Sequence, residues 1–218
     1  MNFLGALRLG NDFQMNKRKY FLKILGLAEK RYGKSTKRLA GDSWAHGWQT
    51  LITTILSAQS RDETTIPVAE SLFREFRTLS ALANASYAKV FRILKSINYN
   101  KTKTKNVIAA AKKLVNEFRE KIPDNIGQLT QIPGVGRKTA NLVLAEVYKK
   151  PGITVDTHVH RISNVLGFVN TNTPHQTELA LMKIAPKECW SRINRLFVLW
   201  GKEVKGRDKK KFMKLLES

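Results

Sequence analysis

Cysteine is almost missing from this 218-residue chain, in which Cys189 stands alone. One thiol closes no internal disulfide and supplies no thiolate metal cage, which fits a reducing compartment and argues against secretion. Read by itself, Cys189 is a small buried hydrophobe. Long apolar runs are missing too. No stretch reaches the roughly 18 apolar residues that a membrane span needs. The opening "MNFLGALRLGNDFQ" lacks the apolar core and small-residue cleavage pattern of a signal peptide. Strand-like alternation never exceeds four residues. Negative charge is the fourth shortage: 17 Asp and Glu face 39 Lys and Arg, a formal net charge of +22. Such a field attracts polyanions, nucleic acid first and anionic membrane surface second.

What is present is helical period. "WQTLITTILSAQ" repeats apolar residues at Leu51, Ile52, Ile55 and Leu56, and "YAKVFRILKSI" does so at Val90, Phe91 and Leu94. "VIAAAKKLVNEF", "TELALMKIA" and "RINRLFVLW" behave likewise, separated by short polar joints. With 42% hydrophobic residues there is enough apolar material for a real core. The fold class expected is therefore all-α, in a soluble globular chain. Met15 opens a much better helix than the residues before it, so 1–14 reads as an N-terminal extension, disordered or an alternative start.

The stretch "LTQIPGVGRKTANLVL" (residues 129–144) is the most informative. Pro123 and Asp124 are expected to start a short helix through Leu129. Pro133-Gly134-Val135-Gly136 reverses the chain, and a second helix runs from about Arg137 to Tyr148 with Ala140, Val143, Leu144 and Val147 inward. This is a helix-hairpin-helix. Gly134 and Gly136 let the backbone come close to a partner, and the free N–H groups at the second helix's start suit a phosphate. Arg137 and Lys138 sit in that first turn, where each works against the helix dipole by roughly 0.3–1 kcal/mol. Two cations so placed imply an anion in front of them. A nucleotide P-loop is excluded, because the Lys of "GVGRKT" is not preceded directly by Gly and the glycine spacing is wrong.

Four motifs occur together and in order: "LITTILSAQSRDETT", "SINYNKTKTKNV", "LTQIPGVGRKTANLVLAEV" and "ITVDTHVHRISNVLG". Over roughly residues 40–204 the chain resembles the endonuclease III family of DNA glycosylases. The resemblance implies two helical domains with a DNA-binding cleft between them. Residues 40–150 would form a helical barrel domain carrying the hairpin, and 15–39 with 151–218 a second helical domain. It implies a monomer inside the cell, acting on double-stranded DNA with damaged bases or abasic sites and on no membrane. A non-catalytic helix-hairpin-helix DNA binder, a glycosylase of the superfamily with another lesion specificity, and an RNA-binding module are the alternatives. The last lacks a stacking platform of aromatic-rich strands.

The chemistry follows from residue types. Removing a base means attacking the sugar's anomeric carbon in a nucleotide flipped out of the stack, and a lysine amine does so through a covalent imine, from which β-elimination cuts the strand. Lys138 is the expected nucleophile, with burial, Arg137 and the helix N-terminus disfavouring its charge. Relatives that remove adenine or act on mismatches carry Ser or Tyr there and lack the lyase step, so Lys138 implies a combined glycosylase and AP lyase. By resemblance its substrates are oxidised or ring-saturated pyrimidines such as thymine glycol. Asp156 matches the family's catalytic carboxylate and would take the amine's proton close to Lys138, while also serving as a helix N-cap. Gln59 matches the gap-filling residue of the opened duplex, and Tyr99 falls where relatives carry an apolar wedge. Asp62 and His158 are expected to support the site, although His158 and His160 also read as packing histidines. Lys101, Lys103 and Lys105, with Arg137 and the tail "KGRDKKKFMK", are candidate phosphate contacts. Many relatives end in four cysteines holding a [4Fe–4S] cluster. Laid on this chain without gaps, three of those positions become Lys205, Phe212 and Leu215 and the fourth falls past residue 218. No metal and no cluster is expected. Phe212, Leu215 and Leu216, with Met213 beside them, would instead close a terminal helix.

Overall fold

A computed structural model describes the backbone of residues 3–42 and 44–217 and the side chains of 15–42 and 44–217. Among these the structure is helical and contains no strand. The chain divides into two compact units, one made of 37–150 and one made of 1–36 together with 151–218.

The continuous unit is built around α2 (Gly47–Ser57), which packs against α3 (Asp62–Glu75), α6 (Asn100–Phe118) and α8 (Arg137–Tyr148). Every residue of α2 from Thr50 to Leu56 is buried. A helix apolar on all sides belongs in the middle of a domain, and its threonines are tolerated there partly because hydroxyls turn back on the helix, as Thr54 Oγ1 donates to the Thr50 carbonyl at 2.7 Å. Leu51, Ile52, Ile55 and Leu56 join Leu72, Leu94, Val107, Leu114, Ala140 and Val143 in one core. Each fully buried Leu or Ile contributes about 1.5–3 kcal/mol. Shorter helices α4 (Leu79–Ala83), α5 (Tyr87–Leu94) and α7 (Ile126–Leu129) complete the unit. Helix α7 starts later than Pro123-Asp124 would suggest. Asn125 caps it by accepting from the Gln128 N–H at 2.9 Å, and Asp124 is drawn instead into an ion pair with Lys150 at 2.7 Å.

The discontinuous unit holds α1 (Phe3–Tyr32), α9 (Thr157–Val165), α10 (Pro174–Ile184), α11 (Trp190–Glu203) and α12 (Lys209–Glu217). From residue 3 the segment set apart as an extension is continuous backbone of α1; its side chains lie outside the described residues. Helix α1 packs against α10, α11 and α12. An aromatic line ties these together: Phe21 to Phe168 at 5.1 Å, Phe168 to Phe197 at 6.3 Å, Phe197 to Trp200 at 5.7 Å and Trp200 to Phe212 at 5.3 Å. On α12, Phe212 and Leu216 are buried, whereas Leu215 and Met213 are only half-buried. Among the described residues no helix is long and apolar enough to cross a membrane.

Candidate active site

In the hairpin of the continuous unit, Ile132 and Val135 are buried and the Val135 N–H bonds the Ile132 carbonyl at 3.0 Å, which folds the turn onto the core. The two glycines do different work. Gly134 has φ +81, and a Cβ there would lie 3.0 Å from both Asn106 Cβ and Ile55 Cγ2. A side chain there would press on this protein's own α2 and α6, while the residue itself stays exposed. Gly136 is extended, exposed and surrounded by open space. It precedes α8 without a side chain to cap the first turn, so a phosphate could reach these N–H groups. That turn holds no acidic residue, and Arg137 and Lys138 are exposed in it. The burial expected around Lys138 is absent, because the second position of this helix points away from the face carrying Ala140 and Val143.

Asp156 lies in the discontinuous unit. One carboxylate oxygen accepts from the Val159 N–H at 2.8 Å and caps α9. His158 packs on α11, where a Cβ on Gly201 would sit 2.4 Å from its Nδ1. His160 Nδ1 meets Thr177 Oγ1 at 2.7 Å. Arg161 donates to the carbonyls of Gly201 at 2.7 Å and Val204 at 2.9 Å, and its guanidinium lies over the Phe212 ring. Burial pulls the Arg161 pKa down from its ordinary value, opposed by the nearby Asp156 carboxylate. The segment after α11 is therefore closed by a cation, two carbonyls and an aromatic ring. A [4Fe–4S] cluster needs four thiolates; the donor set here does not fit one, and Cys189 is buried at the start of α11 beside Arg192. Among the described residues no three His, Cys, Asp or Glu gather as a metal site.

Two turns of the continuous unit carry the residues expected to enter DNA. Gln59 follows α2 in the left-handed conformation, φ 53, at the helix-terminal position where glycine is usual. Tyr99 precedes α6, also left-handed at φ 57, where an extended Ser, Asp or Asn would be usual. Both are exposed, Tyr99 by 65%. Such a backbone costs a non-glycine residue about 1–2 kcal/mol. Asn98 Nδ2 donates to the Gln59 carbonyl at 2.9 Å, so the turns touch. Asp62, in the first turn of α3, accepts from the Ala40 N–H at 3.2 Å and steadies the entry to the unit. Lys101 and Lys105 are exposed, but Lys103 is not the phosphate contact expected: it is only 5% exposed and donates to Ser60 Oγ at 2.8 Å. Burial lowers its amine to about 8. Asn98 and Ser60 are missed by sequence reasoning, since nothing local pairs segments about forty residues apart.

The model of the HhH-GPD superfamily of base excision DNA repair proteins matches residues 52–187. Endonuclease III of Thermotoga maritima is 41% identical over 157 residues, covering 72% of this chain and 74% of that protein. Endonuclease III of Buchnera aphidicola is 34% identical over 190 residues, covering 87% and 89%. A solved structure of a trapped endonuclease III–DNA covalent intermediate, an estranged-adenine complex, superimposes with a TM-score of 0.81 at 29% identity, covering 88% of this chain and 89% of that one. With most of its length matched, including both hairpin helices, this chain belongs to the HhH-GPD superfamily of base excision DNA repair proteins. Within it the chain stands with the endonuclease III-like helix-hairpin-helix enzymes, DNA glycosylases with AP lyase activity.

Proposed function

We propose that the chain excises oxidised or ring-saturated pyrimidines such as thymine glycol from double-stranded DNA and then cuts the strand, with Lys138 as nucleophile and Asp156 as its carboxylate partner. The observation that carries this reading is an exposed amine in the first turn of a helix that has no side-chain cap and no acid in that turn. A helix built for stability places Asp or Glu there. Two cations instead favour a phosphate backbone, which brings the sugar within reach of Lys138.

The neutral Lys138 amine attacks C1′ of the flipped nucleotide, the base departs with a proton, and the sugar ring opens to a protonated imine. Loss of a proton from C2′ expels the 3′ phosphate, and water hydrolyses the imine to free the amine. A protonated amine does not attack, so Asp156 is assigned the proton. With one oxygen on the Val159 N–H, the other carries that task. No metal or cluster takes part in the proposed steps. The protein is proposed to act as a monomer, inside the cell, where the DNA is.

Borohydride trapping tests the reading on two duplexes, one with an abasic site and one with thymine glycol. An adduct on both supports the glycosylase and lyase with this specificity. An adduct on the abasic duplex alone points to another lesion, and no adduct on either overturns the imine route and the role of Lys138 in it.

A further inference from the structure

We infer that Lys103 is a positioning residue for DNA opening: through Ser60 it binds the turn bearing Gln59 to the turn bearing Tyr99, so that both residues enter a duplex as one fixed pair. The inference rests on the proposed roles of Gln59 and Tyr99 and extends them to a residue placed to touch neither base nor phosphate.

Among the described residues Lys103 is the only buried lysine. Burial alone accounts for its lowered pKa of about 8, with no carboxylate offsetting it. A buried amine without an anionic partner is costly, and a methionine of similar shape would avoid the cost. The amine therefore needs a role that stability does not supply. Its geometry shows one. The Lys103 backbone N–H bonds the Tyr99 carbonyl at 2.9 Å, and its amine bonds Ser60 Oγ at 2.8 Å, forty-three residues away. One residue thus holds both turns, and the Asn98 bond to the Gln59 carbonyl runs beside it. Gln59 and Tyr99 both sit in left-handed backbone that a loose turn would leave. Tied together, they keep a fixed spacing, which a pair filling one gap in a base stack requires.

The test uses a duplex with a tetrahydrofuran abasic analogue opposite 2-aminopurine, whose fluorescence rises on unstacking. The wild-type chain should open it. Lys103→Met and Ser60→Ala should each lower opening by about tenfold, with no fall in Tm for Lys103→Met and with unchanged affinity for an undamaged duplex. The double variant should lose no more than either single one, because both remove the same tie. Wild-type levels of opening in both variants, additive losses, or losses that track a lowered Tm would overturn the inference and leave the proposed function standing. A wild-type chain that neither opens this duplex nor traps on abasic DNA overturns the proposed function, and this inference with it.

Discussion

Asp156 gives one carboxylate oxygen to the backbone of its own helix, which lets its structural and chemical duties be separated. Asp156→Asn keeps an oxygen to accept from Val159, so Tm should shift by only a few degrees. Excision should fall by about 100-fold or more, because the acid–base partner is gone. Full turnover would leave Asp156 as a cap alone. Lys138→Gln removes the amine and little volume. Affinity for an abasic analogue should stay within about tenfold, one phosphate contact being lost, while the trapped adduct disappears; an adduct in this variant means that another amine attacks. For Lys103 the sign is set by its fall from 10.5 to about 8. Between those values the unfolded chain holds the proton and the folded chain does not, so the penalty of burying the charge is full below about pH 8 and fades as pH rises toward 10.5. Lys103→Met should stabilise most near pH 7, by at most about 3 kcal/mol, and progressively less by pH 10. Denaturant unfolding at both pH values checks this. Part of the burial was legible, since Lys103 lies four and seven residues before Val107 and Ala110 on the apolar stripe of α6. Its charge, taken alone, points to phosphate instead.

Helix α8 spans Arg137–Tyr148 as its turn chemistry predicts, because glycine and proline act within a few residues of where they stand. The later start of α7 and the ties between the turns of Gln59 and Tyr99 depend on partners far along the chain, and no local pattern announces them. Gln59 offers a sharp test at this scale. Its left-handed backbone suits glycine, so Gln59→Gly should raise stability by about 1 kcal/mol. If the side chain fills the gap left by a flipped base, the same change should lower excision on duplexes far more than on single strands. Equal losses on both, read in parallel with Tm, would remove Gln59 from that role.

For the molecule as a whole, the +22 charge and the closure of its last helices without thiolates belong together. Lys205, Arg207, Lys209, Lys210, Lys211 and Lys214 are all exposed around a core of Phe212 and Leu216. Purified protein should be colourless, without the broad absorbance near about 400 nm of an iron–sulfur cluster, and should keep its lyase activity after a chelator. A brown preparation with about four irons per chain would refute the packing account. The division of the chain into an uninterrupted unit and a split one also has a meaning in time. Residues 37–150 leave the ribosome complete, whereas α1 is made first and the helices that cover Phe21, Ile24 and Ala28 are made last. At about 5–20 residues per second α1 waits on the order of ten seconds for them. Through that interval the nascent chain carries a finished hairpin unit and a helix whose apolar face is uncovered, and the hazard of its synthesis is concentrated there.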